Sequence, residues 1–446
     1  MGALSSLTKQ QKSAVVILQI GTILEYLDLM LYVHMAVLLD QLFFPKTDPD
    51  TANLVSGMTF CLTFIFRPLG SLIFGYIGDT LGRKNTVIIT TMMMAISCVI
   101  MANLPTYSQI GIIASWAVIL CRILQGLSSM GEIVGAQLYL TELFKPPARY
   151  AAVASIGCSN CLGTMLALAV ASAVLYIGLE WRVAFWIGAL IAVVGSVART
   201  MLRETPDFVD AKRQLKKELE QASLDPQMLK QDLIINEPVS KKTALAYFLI
   251  QCARPMYIYF CYIYCGVILK KSFSYTAEQV IMHNFIVALM DFFGAIFYTY
   301  LSYRVYPLKI VKIRMMLFPI FVLLLPLMLD HANSPMYIMS IQLFICLLGI
   351  NIFPAEAILF VHFPVFKRFT YSSFMYALSR AIVYVITSAG LVYLINKLGN
   401  YGLLIIFVPI TIGFWFGVLR FEKLEKVTER DPEKPLFLNL SNRVAD

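Results

Sequence analysis

The sequence has 446 residues, of which 59% are hydrophobic and 14% are charged, and its formal net charge is +9. Soluble domains contain about 45–50% apolar and about 25% charged residues, so this composition excludes a water-soluble enzyme and places much of the surface in lipid. The Lys and Arg residues are scattered between apolar runs, which is typical of the loops of a membrane protein and is no signature of nucleic-acid binding.

Twelve apolar runs follow one another along the chain, each about as long as a helix that crosses a bilayer. Peptide groups in lipid must be hydrogen-bonded within the protein, and the runs are long and continuous, so we predict helices. The first run exceeds the apolar core of a cleaved signal peptide and is expected to be retained. The predicted spans are 14–39, 52–77, 85–103, 110–141, 148–177, 183–202, 244–269, 277–301, 309–329, 335–362, 370–396 and 401–420.

The charge between the spans predicts their orientation. With the N-terminus in the cytoplasm, 27 of the 36 Lys and Arg residues fall on the cytoplasmic side or in the charged segment between spans six and seven, as the positive-inside rule requires. We therefore expect an all-α membrane protein of twelve transmembrane helices in two six-helix bundles, with both termini in the cytoplasm. The predicted boundaries are 1–13 for the N-terminus, 14–202 for the first bundle, 203–243 for a charged linker, 244–420 for the second bundle and 421–446 for the tail.

The nine cysteines all lie in apolar runs, which predicts packing roles and no disulfide framework. Cys158 and Cys161 form a C-x-x-C pattern, but their helical, membranous flanks favour packing over a redox or metal site. The sequence contains no phosphate-binding loop, nucleophile motif or Cys/His cluster with ligand spacing. We therefore expect no metal, no cofactor and no enzymatic activity.

The loop between spans two and three reads GDTLGRK and resembles the signature loop of the major facilitator superfamily. The matching positions are Gly78, Asp79, Gly82, Arg83 and Lys84. Glycine permits the tight reversal of the chain, and the resemblance implies that this is a gating loop, in which Asp79 and Arg83 pair with charges at the cytoplasmic ends of neighbouring helices.

The first half also resembles the metabolite:H⁺ symporter family, which includes transporters of proline/betaine, α-ketoglutarate, citrate and shikimate. The similar segments are EYLDLM in span one, FRPLGSLIFGYIGD in span two, RILQGLSSMGEIVGAQLYLTE in span four and ETPDF after span six. The second half is a looser match, because its equivalent loop, LSYRVYPLKIVKIR, lacks the Asp and the Gly-Arg pair.

This resemblance implies two halves related by an axis along the membrane normal. It also implies proton-coupled symport of a small organic anion or zwitterion by alternating access. The expected setting is a bacterial inner membrane, and the expected partners of the monomer are its substrate, protons and lipid. The alternatives are an exporter of a small metabolite or siderophore-like compound and a non-transporting sensor on the same fold, which the degenerate second loop would suit. Span five lacks the G-P-x-x-G-G element of drug antiporters, which favours symport.

Charged residues inside the spans are functional candidates, because each costs roughly 2.5–3.5 kcal/mol at the centre of a span on insertion scales. Five acids and four arginines balance closely. They are Glu25, Asp28, Arg67, Arg122, Glu132, Arg254, Asp291, Glu356 and Arg380.

Glu25 and Asp28 are three residues apart and share one helix face. Two neighbouring carboxylates disfavour double ionisation, which suits proton uptake and release. We predict that proton coupling involves Glu25, Asp28 or Glu132. The alternative is that Glu25 and Asp28 pair with Arg67 and Arg122 and only hold the helices together.

Arg122, Arg254 and Arg380 are candidates for substrate binding, because a guanidinium group presents a fork that fits a carboxylate. Tyr32 and Tyr257 are further candidates, since aromatic faces hold quaternary ammonium groups, although tyrosines also form ordinary interfacial belts.

Structural pairing explains the arginines nearly as well. Arg67, Asp291 and Glu356 are therefore the candidates for internal ion pairs.

Overall fold

The computed structural model describes residues 8–45, 49–178, 180–221 and 239–430, and all regular structure in these ranges is helical. The prediction of an all-α protein is thereby confirmed. Parts of the predicted termini and linker, namely 1–7, 222–238 and 431–446, lie outside the described residues.

The first half is built from long helices that follow the predicted spans closely. They are α1 Lys9–Phe43, α2 Pro49–Thr80, α3 Arg83–Asn103, α4 Ile112–Leu143, α5 Ala148–Ile177 and α6 Trp181–Arg199. A helix at Pro206–Gln221, called the linker helix below, follows α6.

The second half has interrupted helices among its continuous ones. They are α7 Lys241–Phe273, α8 Ala277–Arg304, α9 Pro307–Asp330, α10 Pro335–Val361, α11 in three consecutive segments Val365–Val385, Ile386–Gly390 and Leu391–Leu398, and α12 Gly402–Arg430.

Ten helices among the described residues are long and apolar enough to cross a membrane. The other two long helices, α2 and α11, also reach bilayer length: α2 has 32 residues and the first segment of α11 has 21, and about 20 residues span the hydrocarbon core. Large apolar side chains on the outer faces of α6 and α9 are exposed, as a surface in contact with lipid requires. Examples are Leu190, Val197, Ile313, Ile320 and Leu323. The number of crossings and the cytoplasmic location of the termini stay predictions.

Side-chain caps mark where three helices of the second half begin. Ser240 and Ser334 each accept a hydrogen bond from a backbone N–H three residues on, and Thr276 forms a capping box with Gln279. These side chains satisfy N–H groups that have no partner inside the helix.

A buried proline interrupts α7 near the middle of the helix. Pro255 has no N–H, so the carbonyl of Gln251 loses its usual helical donor. The Nη1 atom of Arg380 on α11 donates to that carbonyl at 3.3 Å. The carbonyl that the proline leaves free thus ties α7 to α11.

The most extensive contacts between the two halves are those of α2 with α11 and of α5 with α8. Each pair joins one helix of the first half to one of the second. Because helices 2 and 5 correspond to helices 8 and 11 six positions later, the two contacts are equivalent under exchange of the halves. This arrangement fits two parallel repeats about an axis along the membrane normal.

Gly75 permits the close approach of α2 to α11. A Cβ atom at this position would lie 2.6 Å from the Cα atom of Thr370, which is backbone and has little freedom to yield. We expect Gly75→Ala to lower the free energy of unfolding by about 1–3 kcal/mol, because extra atoms in a packed interface force the backbones apart. Thermal unfolding of the purified protein measures this loss.

Gly188→Ala is the matched control for this prediction. A Cβ atom at Gly188 would make ordinary contacts of 3.7 Å and 3.8 Å with side chains, and alanine is the better helix former by about 1 kcal/mol. This variant should unfold at the same or a higher temperature. Equal unfolding temperatures for the two variants would contradict the tight α2–α11 contact.

Candidate functional site

The end of the molecule that carries the GDTLGRK loop is closed by a buried network of charges. Arg83 at the start of α3 is fully buried and lies between two acids. Its Nη2 atom donates to Glu142 at 3.1 Å and its Nη1 atom donates to Asp79 at 3.2 Å. Arg368 on α11 donates to the same Glu142 at 3.0 Å. One glutamate of the first half therefore holds an arginine from each half.

Asp79 makes the second connection between the halves. Its carboxylate accepts hydrogen bonds from the backbone N–H groups of Phe369 and Thr370, at 3.0 and 2.8 Å, and from the Thr370 hydroxyl at 2.7 Å. These donors belong to the first turns of α11, where a negative charge is also favoured by the helix dipole. The Nη2 atom of Arg83 donates to the carbonyl of Val365 at 2.6 Å in the same region.

Gly82 and Glu204 fix the shape of the loop itself. Gly82 has φ +115°, a conformation that L side chains rarely adopt, and an added Cβ would meet the Glu204 carboxylate at 2.0 Å. That carboxylate accepts from the backbone N–H groups of Arg83 and Lys84, at 2.9 and 3.3 Å, and so caps α3. Glycine is required here by both the backbone angle and the approach of the carboxylate.

The linker helix reinforces this closed end. Phe208 is buried, with the guanidinium of Arg83 5.0 Å from its ring centroid and the ring of Phe366 6.0 Å away. Asp207 lies 3.6 Å from Arg368. Burial and the nearby charge of Glu142 raise the pKa of Asp207 despite that arginine. The start of the charged linker thus packs against the closed end of the two halves.

A small cavity lies between the halves, toward the middle of the helices. Its walls come from α4 and α5 on one side and from α7, α10 and α11 on the other. The volume open to the centres of water molecules is about 20 Å³, about the room of a single water. An organic substrate therefore needs the halves to separate. The polar residues in the walls are Gln137, Asn160, Gln251, Arg254, Asn351, Glu356, Tyr376 and Arg380.

Arg254 is the arginine of this cavity that lacks a partner. Among the described residues no carboxylate forms an ion pair with its guanidinium, and its buried Nε atom has no hydrogen-bond acceptor. Its electrostatic neighbours are Tyr26, Cys161, Tyr376 and Asp291. A cation in a polar cavity with no carboxylate in direct contact is a ready site for an anion.

Two amide side chains of the first half also lack partners. The buried Oε1 atom of Gln137 and the buried Oδ1 atom of Asn160 have no hydrogen-bond donor within the described part of the chain. Both residues line the same cavity as Arg254. Buried polar groups are nearly always paired, so three unpaired groups around one space indicate a ligand site.

Arg380 and Glu356 also line the cavity, but both have partners. Arg380 donates to the carbonyl and the Oε1 atom of Gln251, at 3.3 and 3.1 Å, and lies 3.2 Å from the ring centroid of Tyr376. Glu356 accepts from Gln251 at 2.5 Å and from Tyr247 at 3.3 Å. Gln251 therefore bridges the two charges, in place of the direct ion pair that we expected for Glu356.

The two acids of α1 are each held by a different arginine. Glu25 accepts from Arg67 at 2.6 Å. Asp28 accepts from Arg122 at 3.3 Å and from Gln125 at 2.9 Å. The structure thus has the pairing that was the alternative to a shared proton site, with Arg67 in an ion pair with Glu25 and Arg122 in one with Asp28.

Two aromatic candidates and one arginine do not reach the cavity. The guanidinium of Arg122 lies 4.0 Å from the ring centroid of Tyr32, inside the first half. The hydroxyl of Tyr257 donates to the thiol of Cys346 at 3.0 Å, within the second half. None of the three lines the cavity described above. The side chain of Glu132 lies outside the described residues.

Asp291 differs from the expectation of an ion pair. Its carboxylate accepts from the thiol of Cys161 at 3.4 Å, and no Lys, Arg or His forms an ion pair with it among the described residues. Arg254 and Arg314 are its positive neighbours at longer range. Arg314 is held by Tyr298, with its guanidinium 4.6 Å from the centroid of that ring.

Sequence reasoning missed the uncharged polar residues and two members of the network. Gln137, Asn160 and Gln251 are single amides in apolar runs, which a search for charges passes over. Glu142 and Arg368 lie at the ends of spans, where charge is ordinary. Within the described residues no group of His, Cys, Asp and Glu side chains is arranged to hold a metal ion.

Comparisons with known proteins agree with the resemblance seen in the motifs. The sequence matches the Major Facilitator Superfamily over residues 15–388. It is 38% identical over 209 residues to the inner membrane metabolite transport protein YhjE of Escherichia coli K12, which covers 44% of this chain and 47% of that protein. It is 32% identical over 205 residues to the proline/betaine transporter of Salmonella typhimurium, covering 44% and 41%.

These matches span just under half the length of the curated relatives. In contrast, the proton:xylose symporter XylE bound to 6-bromo-6-deoxy-D-glucose superimposes over 94% of this chain and 95% of its own, with a TM-score of 0.72 at 15% identity. A likeness at this identity shows the fold.

Proposed function

The chain belongs to the major facilitator superfamily, and we propose that it is a proton-coupled symporter of a small organic anion or zwitterion. As a superfamily member it is a multi-pass membrane transporter with no enzymatic role. Its relatives named as metabolite and proline/betaine transporters support the substrate class, and the name of the first supports an inner-membrane location. We extend the proposal to twelve crossings, cytoplasmic termini and a monomer.

The observation that carries the proposal is the place of Arg254 in the cavity between the halves, where its buried Nε atom has no acceptor and no carboxylate of the described residues forms an ion pair with it. The charged groups in the cavity wall are Arg254, Arg380 and Glu356, which leaves one positive charge in excess. One substrate carboxylate offsets that excess. A dicarboxylate would bring a second negative charge. The other arginine of the wall, Arg380, is already hydrogen-bonded and is not available to bind that charge.

The unpaired amide oxygens of the cavity wall indicate which hydrogen-bonding groups the substrate carries besides its carboxylate. Gln137 and Asn160 accept hydrogen bonds from N–H groups or donate to oxygen. A quaternary ammonium group offers no N–H and needs open aromatic faces, whereas the Tyr376 ring is covered by Arg380. We therefore favour an amino or imino acid, such as a proline-like compound, over a betaine.

Alternating access follows from the closed network at the loop end. The cavity is too small for the substrate in this conformation, and the Asp79, Glu142 and Arg368 contacts join the halves on the predicted cytoplasmic side. Breaking these contacts opens the cavity toward the cytoplasm. Proton binding is predicted to involve Glu25, Asp28 or Glu132, the acids of the first half.

Uptake into energised vesicles tests the proposal. The panel contains proline, glycine betaine, shikimate, a dicarboxylate and a tricarboxylate, each with and without a protonophore. We expect accumulation of an N–H-bearing monocarboxylate that collapses when the protonophore is added. If the protonophore leaves the accumulated amount of substrate unchanged, the result would favour the exporter or a different coupling ion. If no compound of the panel is taken up, the result would favour the sensor.

A further inference from the structure

Asp291 lies on α8 where that helix meets α5 of the other half. The Cys161 thiol donates to its Oδ2 atom at 3.4 Å, and one turn away the Cys158 thiol lies 3.4 Å from the Thr299 hydroxyl. The C-x-x-C pair of α5 therefore faces α8 across the boundary between the halves. Asp291 itself is half-buried.

Asp291 stands apart from the acids of the paired clusters. Glu25, Asp28, Asp79 and Glu142 each have an arginine nitrogen within 2.6–3.3 Å. Asp291 forms no such pair among the described residues. A half-buried carboxylate at a helix interface without an ion-pair partner is costly in its ionised form, and this cost is removed when a proton binds.

The groups that face Asp291 come from every neighbouring helix. Arg254 and the Tyr257 hydroxyl lie on α7, and Arg314 lies on α9. From α5 come the two thiols, and on α10 the Cys346 thiol accepts from Tyr257. The two arginines are the only cations among these groups, and Arg254 is the one that lines the cavity.

We propose that Asp291 is a further proton-binding group, beside the candidates of the first half, and that it couples to substrate through Arg254, an inference that rests on the symport function proposed above. Ionised Asp291 competes with the substrate carboxylate for the positive field of Arg254. When Asp291 takes up a proton, that field is free for the substrate. Binding of each ligand therefore favours binding of the other, and by linkage the effect is equal in both directions.

The position of Asp291 also connects coupling to the transport cycle. Its thiol neighbours belong to the first half and its arginine neighbours to the second. When the halves rock against each other, α5 moves relative to α8 and the carboxyl changes from a thiol-lined to an open environment. Proton exchange is thereby linked to the same motion that opens the cavity.

The test is Asp291→Asn in proteoliposomes, with a substrate identified by the uptake panel. Asparagine mimics the protonated acid. We expect counterflow exchange to continue, while accumulation against a gradient falls from about tenfold per unit of pH gradient to none. The substrate Kd should lose its dependence on pH and stay near the low-pH value of the wild type. Glu278→Gln, which changes an exposed acid on the same helix, should behave as wild type.

A second measurement tests the proposal even if the Asp291→Asn variant folds poorly. The purified wild type should take up a proton when substrate binds, as reported by a pH-sensitive dye, and Asp291→Glu should keep this uptake with a shifted pH midpoint. Proton-driven accumulation that persists in Asp291→Asn would overturn the assignment while leaving the symport function intact. Absence of proton-driven accumulation in the wild type would instead refute the symport function itself.

Discussion

Replacing Arg254 with glutamine is expected to weaken substrate binding roughly 100-fold while the substrate-free protein becomes more stable. Truncating one member of a buried charged contact costs about 2–5 kcal/mol of binding free energy. The same change removes a buried Nε–H that has no acceptor, which costs the native state about 1–3 kcal/mol. Direct binding and thermal unfolding measure the two effects.

Arg199→Gln is the matched control, because Arg199 is also a fully buried arginine. Its guanidinium donates to backbone carbonyls of Val87 and Leu18 and to the Thr91 hydroxyl, far from the cavity wall. This variant should lose stability and keep substrate affinity, the opposite of Arg254→Gln. If Arg254→Gln keeps wild-type affinity, Arg254 does not bind the substrate carboxylate.

Replacing Glu142 with glutamine is expected to open the closed end of the protein. Arg83 and Arg368 both donate to this carboxylate, and removing its charge leaves two buried guanidinium groups with less compensation. Breaking a buried pair in this way costs on the order of 3 kcal/mol. Arg83 lies beside Glu142 within the first half, whereas the contact with Arg368 joins the two halves in the closed conformation. Weakening the Arg368 contact therefore shifts the population toward the open conformation.

A distance measured between spin labels at positions 81 and 367 reports this opening. Leu81 is 61% exposed and follows α2, and Lys367 lies in the first turn of α11. The distance between labels at these two positions therefore measures the separation of the two halves. The labels require a background without reactive native cysteines. Glu142→Gln should lengthen the main distance.

Glu180→Gln serves as the control for this experiment, because the Glu180–Arg182 pair has its side chains 61% and 28% exposed. Exposed pairs contribute at most about 1 kcal/mol, so its distance distribution should match the wild type. A Glu142→Gln distribution identical to that of the wild type would show that the network does not hold the halves together.

Hydropathy was sufficient to predict the helices. The first span was predicted at 14–39 and α1 covers Lys9–Phe43, while the sixth was predicted at 183–202 and α6 covers Trp181–Arg199. Lipid leaves the backbone few other solutions, so a long apolar run specifies a helix without knowledge of its neighbours. A proline within a span also predicts an interruption of the helix, because it lacks the backbone N–H of other residues, and Pro255 has this effect in α7.

The sequence did not predict which residues pair with the buried charges. Glu25 was equally compatible with a proton site and an ion pair, and the structure gives it Arg67, 42 residues away. Glu356 was expected to pair with an arginine and is bridged through Gln251 instead. The amides of Gln137 and Asn160 escaped notice because an uncharged polar side chain costs little in a span and so gives a weak signal.

The sequence by itself determined that the chain lies in lipid as a series of helices, and it determined which side chains are too costly to be there without a role. Only the tertiary structure decided which of those charges are compensated. Compensation depends on distances of a few ångströms between residues that are far apart in the chain. Within the described part of the chain, those distances leave Arg254 and Asp291 without ion-pair partners, whereas Glu25 and Asp28 have theirs.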